Sequence, residues 1–208
     1  MNVYEAIANR KTIRDFAQQP IPQEELKRIL AAGMQAPSNN HMRSWHFVLL
    51  QDRNKRQALL QQVITPVGLE KTKEILDDWE MTDPVQREMY MDGIPKQFSM
   101  LMGCDVLVIP CYLQDTPLLQ PENLSALNAF VSIWCCIENI LVAAAGEGIF
   151  GVTRIPGEKE RAVMKEFLDI PDGYEIPCHL ALGYPAEGAK RARQLEINLD
   201  ERTHTDEW

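Results

Sequence analysis

The sequence predicts a layered domain, a central sheet covered by helices on both faces. Short continuous apolar runs of strand length (45–50, 106–109, 150–153 and 178–183) alternate with longer stretches of helical spacing, and such interleaving builds a layered sheet. The chain has 208 residues, 45% hydrophobic and 25% charged. That is enough for one domain with a sizeable core and an extended arm. Neither an internal repeat nor a low-complexity segment interrupts it.

The elements follow in order. Val3, Ala6 and Ile7 fall at helical spacing and give a short first helix. A basic stretch, Arg10-Lys11-Thr12-Ile13-Arg14, comes next. Pro22 suits a first helical turn, Glu24 and Glu25 suit its positive end, and Leu26, Ile29, Leu30 and Gly33 form the inner stripe. This second helix stops before Pro37, because a residue preceding proline avoids helical angles. Trp45–Leu50 reads as a buried strand. Residues 52–103 read as mostly helical, polar and Met-rich, broken at Pro66, Gly68, Pro84, Gly93 and Pro95. Val106–Ile109 is a second buried strand, and Ala126–Ala145 is a long apolar helix for the centre of the core or an interface. Phe150–Thr153 is a short strand, and 158–168 is a helix with Val163/Phe167 and Met164/Leu168 paired four apart. Cys178–Gly183 is another strand. Beyond Pro185 lies a polar, basic tail with a short alternating piece (Leu195, Ile197, Leu199), either disordered or an arm on a partner subunit.

Composition narrows the function. The formal net charge of −9 disfavours nucleic acid. Met1 leads into the first helix with no secretory pattern behind it. No apolar stretch is expected to reach the roughly 18 residues of a membrane span, since Glu138 and Asn139 break the longest. The five cysteines lack Cys-x-x-Cys spacing, so buried, reduced thiols are expected and neither a disulfide framework nor a zinc site. The expected compartment is the cytoplasm. The four histidines show no metal spacing. His46 and His179 fall in strands and read as core or edge residues.

Three constellations carry chemistry. Arg10, Lys11 and Arg14 with Thr12 put three cations and a hydroxyl within five residues of an acidic chain. An extended segment would turn residues 10, 12 and 14 to one side, around one phosphate. On charge alone, a solvated turn paired with carboxylates is the commoner outcome. Ala36-Pro37-Ser38-Asn39-Asn40-His41 offers amides, a hydroxyl and carboxamides to a planar polar ligand, although an ordinary turn favours the same residues. Gly146-Glu147-Gly148-Ile149-Phe150-Gly151 matches G-x-G-x-x-G literally, but a helix precedes it and a strand follows. That is the reverse of a dinucleotide fingerprint, and the glycines read as a helix end and a tight strand entry. Ser38 follows a helix, not a strand, so it is no nucleophile elbow.

Order and spacing together say more than any one piece. Residues 10–16, then Pro22-Gln23-Glu24-Glu25-Leu26, Ala36-Pro37-Ser38 and Trp45-His46-Phe47-Val48, resemble the N-terminal signature of nitroreductase-like flavoproteins. Gly148-Ile149-Phe150, then residues 167–174 and 180–186, look like that family's C-terminal half. The resemblance covers roughly residues 3–50 and 125–195. It implies an α+β fold: an α/β/α sandwich with a mixed central sheet flanked by helices, and a C-terminal arm over 186–208. Residues 1–208 would form a single FMN-binding domain, with 52–103 the variable helical segment that shapes the substrate pocket.

The resemblance further implies a homodimer through long helices, with FMN at the interface. Arg10, Lys11, Thr12 and Arg14 match the positions that hold the phosphate and ribityl chain. Pro37, Ser38 and Asn39 match the loop that reaches the flavin from the partner subunit. Thr153, Arg154 and Ile155 match the turn whose backbone amide approaches flavin N5. Arg191 and Arg193 match further phosphate ligands, with Lys190 an alternative to either. The implied activity is a ping-pong, two-electron reduction of small organic acceptors, such as nitroaromatics or quinones, by NADH or NADPH, with the chemistry supplied by the cofactor and no catalytic side chain or metal. The chain departs from the common Asn-x-Gln-Pro-Trp pattern at His41-Met42-Arg43-Ser44-Trp45, and His41 resembles the iodotyrosine deiodinase branch. The alternatives are therefore a reductive dehalogenase, a flavin-binding redox sensor with little turnover, or an enzyme that consumes its own flavin.

Overall fold

A computed structural model describes residues 1–114, 118–194 and 196–208. Leu195, part of the alternating tail, lies outside the described residues. The elements run α1 (Val3–Asn9), α2 (Gln23–Gly33), β1 (Trp45–Leu50), α3 (Arg53–Val63), α4 (Leu69–Asp78), α5 (Pro84–Gly93), α6 (Gln97–Gly103), β2 (Val106–Leu113), α7 (Asn128–Gly146), β3 (Phe150–Arg154), α8 (Glu158–Phe167), β4 (Tyr174–Glu175) and β5 (His179–Gly183). Local chemistry sets the helix starts. Asn2 and Glu5 form a capping box on α1, Asp52 caps α3, and Asp83 caps α5 ahead of Pro84.

The strand order is β1-β2-β5-β3, with β4 pairing the end of β2. The strand ladders are antiparallel, and the parallel component is the Thr12–Gly151 bridge beside β3. β2 is buried along nearly its whole length, so its alternate residues feed two cores. Leu107, Ile109 and Cys111 join Val152 and Ala181 under α3, α6 and α8. Val106, Val108 and Tyr112 join Leu180 and Leu182 under α2 and α7. This is the sandwich expected from the sequence.

Helix α7 crosses α2 closely because Gly33 has no side chain. A Cβ there would come within 2.5 Å of Ile140 Cγ1. Gly148, with φ 75°, ends α7 and turns the chain into β3, the role expected for that glycine run.

Several expectations need correction. The run Leu124–Gly146 is long and apolar enough to cross a membrane by length and composition. Glu138 and Asn139 do not break it, since the 23-residue run holds an 18-residue window of mean hydropathy 1.8. One side packs on α2 and the sheet through Ile133, Cys136, Ile137 and Ile140. Cys135 on its other side is exposed, unlike the four remaining cysteines. Burial pushes the Cys104 and Cys111 thiols up to about 11. In α1 only Ala6 is buried, and Val3, Tyr4 and Ile7 stay exposed. The two-residue strand β4 was not anticipated.

Candidate functional site

The basic segment is held by one apolar anchor and one backbone bond. Ile13 is fully buried in the core under α8, and its N–H donates to the Gly151 carbonyl at 3.2 Å. The segment therefore lies along the outer edge of β3. Gly151 must be glycine for β3 to lie against β5, because a Cβ would sit 2.7 Å from the Ala181 carbonyl oxygen. Arg10 and Thr12 then line a cavity of about 260 Å³ with Trp134, Ile137, Glu138, Leu141, Val152 and Thr153. Arg10 Nε lies 3.3 Å from a half-exposed Glu138 carboxylate, a weak pair that another anion can displace. Lys11 has no ion-pair partner among the described residues.

Arg14 does not join Arg10 and Thr12 around that cavity. Its guanidinium pairs with Asp92 of α5 at 3.3 Å and lies over Gly93, where a Cβ would be 3.2 Å away. Lys96 closes the network, 2.7 Å from both Asp92 and Asp15. The alternation of residues 10, 12 and 14 is overridden by this half-buried carboxylate.

The second constellation occupies a separate cavity of about 220 Å³, lined by Ser38, Asn39, Asn40, Ser44, Trp45, Asn128 and Ser132 among others. Ser38 Oγ accepts from the Arg43 N–H. The Asn39 N–H donates to Ser132 Oγ, and Asn128 Nδ2 donates to Asn39 Oδ1. Pro37 is exposed at the start of this loop. His41 and Arg43, the two unusual residues of the loop, both adopt left-handed backbone, with φ 58° and 46°. Such a conformation is costly for arginine, and the hydrogen bonds to Ser38 and to the Ala36 carbonyl hold it.

Thr153 faces the first cavity, whereas the Arg154 side chain turns back. It makes a two-bond pair with Glu160 and a bond to Gln97. Ile155 is 67% exposed. Behind the turn, His179 is fully buried, with Nδ1 3.2 Å from the Arg154 carbonyl oxygen and Nε2 lacking a partner. Burial first, and then the Arg154 charge, push its pKa down from 6.5 to about 4. The unfolded chain therefore binds a proton between those values that the folded chain refuses. Stability is full above about pH 6.5 and falls as the pH drops toward 4. Between pH 7 and pH 5 the loss from this residue is about 2 kcal/mol. Urea midpoints at the two pH values should differ less in His179→Leu than in the unaltered protein.

The arm brings its basic residues to two places. Lys190 pairs with Glu88 of α5 at 2.8 Å, with Arg193 close enough to help hold that carboxyl below its ordinary range. Arg191 stacks 5.4 Å over the Phe150 ring at the start of β3. Among the described residues no cluster of three or more His, Cys, Asp or Glu is placed to hold a metal.

The donor set fits a phosphorylated planar ligand. Arg10 offers a cation, Thr12 and Thr153 offer hydroxyls, and Trp134, Ile137, Leu141 and Val152 form an apolar wall. Trp134, Asn128 and Ser132 carry no signal in the sequence, and His179 reads there only as a core or edge residue. The first three sit on an apolar helix that reads as core, and only the tertiary structure turns them toward the cavities.

Comparisons with known proteins bear on the family. A family model described as "Nitroreductase family" matches residues 7–184. A 4-nitrobenzoate reductase of Nocardioides sp. (strain LMS-CY) is 24% identical over 199 residues, covering 86% of this chain and 78% of its own. An NADH dehydrogenase of Thermus thermophilus is 24% identical over 207 residues, with 92% and 91% covered. The solved structure of an oxidised iodotyrosine deiodinase bound to FMN and 3-iodo-L-tyrosine has a TM-score of 0.67 at 20% identity, covering 95% of this chain and 97% of that one. With the sheet, the docking of residues 10–14 along β3 and the two cavities in place, the chain belongs to the nitroreductase family.

Proposed function

We propose that two copies of this chain hold FMN between them, and that the protein reduces small organic acceptors, such as nitroaromatics or quinones, with electrons from NADH or NADPH in the cytoplasm. The observation that carries this reading is the division of site residues between two cavities. Arg10, Thr12 and Thr153 line one, Ser38 and Asn39 line the other, and both are walled by α7. One chain thus carries two half-sites, and a second copy would complete each. The exposed Val131 and Cys135 on α7, with Val3, Tyr4 and Ile7 on α1, supply an apolar face for such pairing. Arg10 and Lys11 would grip the phosphate, with Arg191 or Arg193 as reinforcement. Ser38 and Asn39 would present polar groups to the ring edge. FMN, when bound, would supply the two-electron chemistry. The helical segment 52–103 would bound the acceptor side, where Trp79 meets Tyr90 edge-on and Arg87 pairs with Asp77 across α4 and α5.

The purified protein should show oxidised-flavin absorbance and release FMN on heating. A colourless protein that takes up no added FMN would sink the reading. Arg10→Ala removes one charge-assisted hydrogen-bonding group, worth about 1.5–3 kcal/mol. FMN affinity should fall at least tenfold, as measured by flavin fluorescence titration. Steady NADH consumption with menadione, compared with that on 3-iodotyrosine, separates the general reductase from the dehalogenase.

A further inference from the structure

We propose that Arg43 is a positioning residue. Its side chain ties the exit of the 36–43 loop back to its entry, and so presets Ser38 and Asn39 for the flavin edge before any cofactor arrives. The proposal rests on the FMN reading above.

Arg43 holds the loop in two ways. Its backbone N–H donates to Ser38 Oγ at 3.2 Å, and its side-chain Nε donates to the Ala36 carbonyl at 3.2 Å. The first bond is open to any residue but proline, provided that the backbone stays left-handed. The second needs a long side chain with a donor. At φ 46° a residue with a Cβ is strained, and such strain persists only where the surroundings over-determine it. Glycine or asparagine would take the same turn at less cost. Arginine supplies what they lack, a donor that reaches back seven positions. Ala36 is fully buried, and among the described residues its carbonyl accepts from no other group. Without Nε that oxygen would be left unsatisfied, and nothing would hold residue 43 in the turn that brings its N–H to Ser38.

Arg43 does not line the cavity that Ser38 and Asn39 line, so it acts through them. The far side of the loop is fixed by α7, since Ser132 accepts from the Asn39 N–H and Asn128 donates to Asn39 Oδ1. Arg43 fixes the near side. Ser38 Oγ, once it accepts from the Arg43 N–H, still has its own O–H to donate to a ligand. A donor already held in place adds affinity, because its ordering is complete before binding.

The guanidinium makes no ion pair, and its Nη groups have no partner among the described residues. A bare attraction between this charge and an anionic cofactor is the competing account, and counting bonds separates the two. Glutamine Nε2 stands as many bonds from Cα as arginine Nε, and it carries no charge. Lysine keeps the charge, but its Nζ stands one bond further out.

The test is flavin fluorescence titration of the unaltered protein and four variants, with hydrogen exchange of the amides at 39 and 43 followed before FMN is added. Arg43→Ala should bind FMN about three- to tenfold more weakly. Those two amides should exchange faster by about tenfold or more, while the Val108 amide in β2 keeps its protection. Arg43→Gln should restore both measures, and Arg43→Lys should fall short in both. Arg43→Gly, which takes the turn freely but lacks the donor, should lie between Ala and Gln. Restoration by Lys but not by Gln would overturn the proposal in favour of charge. Equal FMN affinity in all the variants would also overturn it. So would a loss of affinity with unchanged exchange at 39 and 43, or with Val108 exchanging faster as well, since the first denies the loop a part and the second reports general destabilisation. The titration of the unaltered protein stands apart from these outcomes: if that protein binds no FMN, the cofactor reading falls and the proposal with it.

Discussion

Arg56→Met is expected to destabilise the protein by about 3–5 kcal/mol, lowering the unfolding temperature by roughly 10 °C or more. Arg56 is 1% exposed on α3 and has no carboxylate partner among the described residues. Its guanidinium instead donates to four backbone carbonyls. Nε and Nη2 reach Leu50 at 3.0 and 2.6 Å, Nη1 reaches Cys104 at 2.6 Å and Met102 at 3.4 Å, and Nη2 reaches Asp105 at 2.8 Å. These oxygens belong to the end of β1, the C-terminus of α6 and the entry to β2. One cation thus satisfies the helix-end carbonyls and meets the negative end of the α6 dipole. Methionine fills the volume but leaves four acceptors buried. Arg56→Lys should recover only part, since an ammonium has three donors and lacks the fork geometry. Thermal and urea unfolding of both variants test this. An Arg56→Met protein with an unchanged midpoint would mean that the carbonyls find water instead.

Gly151→Ala is expected to cost about 2–3 kcal/mol and to weaken FMN retention at the same time. The added Cβ would meet the Ala181 carbonyl oxygen at 2.7 Å, Leu182 Cδ2 at 2.9 Å and Leu141 Cδ2 at 3.0 Å. The leucine side chains can shift, but the backbone oxygen cannot without disturbing the β3–β5 ladder. The same residue docks Ile13, so strain there displaces Thr12 and Arg10 from the cavity they line. By contrast, Gly148→Ala meets open space and is penalised only by its positive φ. It should lower the melting temperature yet leave bound flavin unchanged. Equal flavin content in the two variants would argue against the docking role of Gly151.

The strands and most helices were legible because apolar runs and periodicity report burial directly, as at Val106–Ile109 and along α2. The 10–14 segment and the 36–41 loop were legible as candidates because their residue types are unusual for their positions. What local pattern could not show were long-range pairings. Arg14 meets Asp92 from 78 positions away, in a segment whose composition carries no motif. Arg56 reads as an ordinary surface arginine of a polar helix until the carbonyls around it are known. A two-residue strand such as β4 lies below any periodic signal. The orphaned nitrogen of His179 belongs to packing, so the sequence could place the residue in the core but not show that one ring nitrogen lacks a partner there.

Helix α7 sets the relative orientation of the two cavities that a second copy is proposed to complete. Asn128, Ala129 and Ser132 serve one cavity, and Trp134, Ile137, Glu138 and Leu141 serve the other. A helix turns about 100° and advances about 1.5 Å per residue. Inserting or deleting a single residue between Ser132 and Trp134 would swing one half-site by more than a quarter turn against the other, even if every side chain were retained. A change of about eleven residues, close to three whole turns, would restore the phase but displace the halves by about 16 Å. This stretch should therefore accept substitutions yet tolerate no change of length.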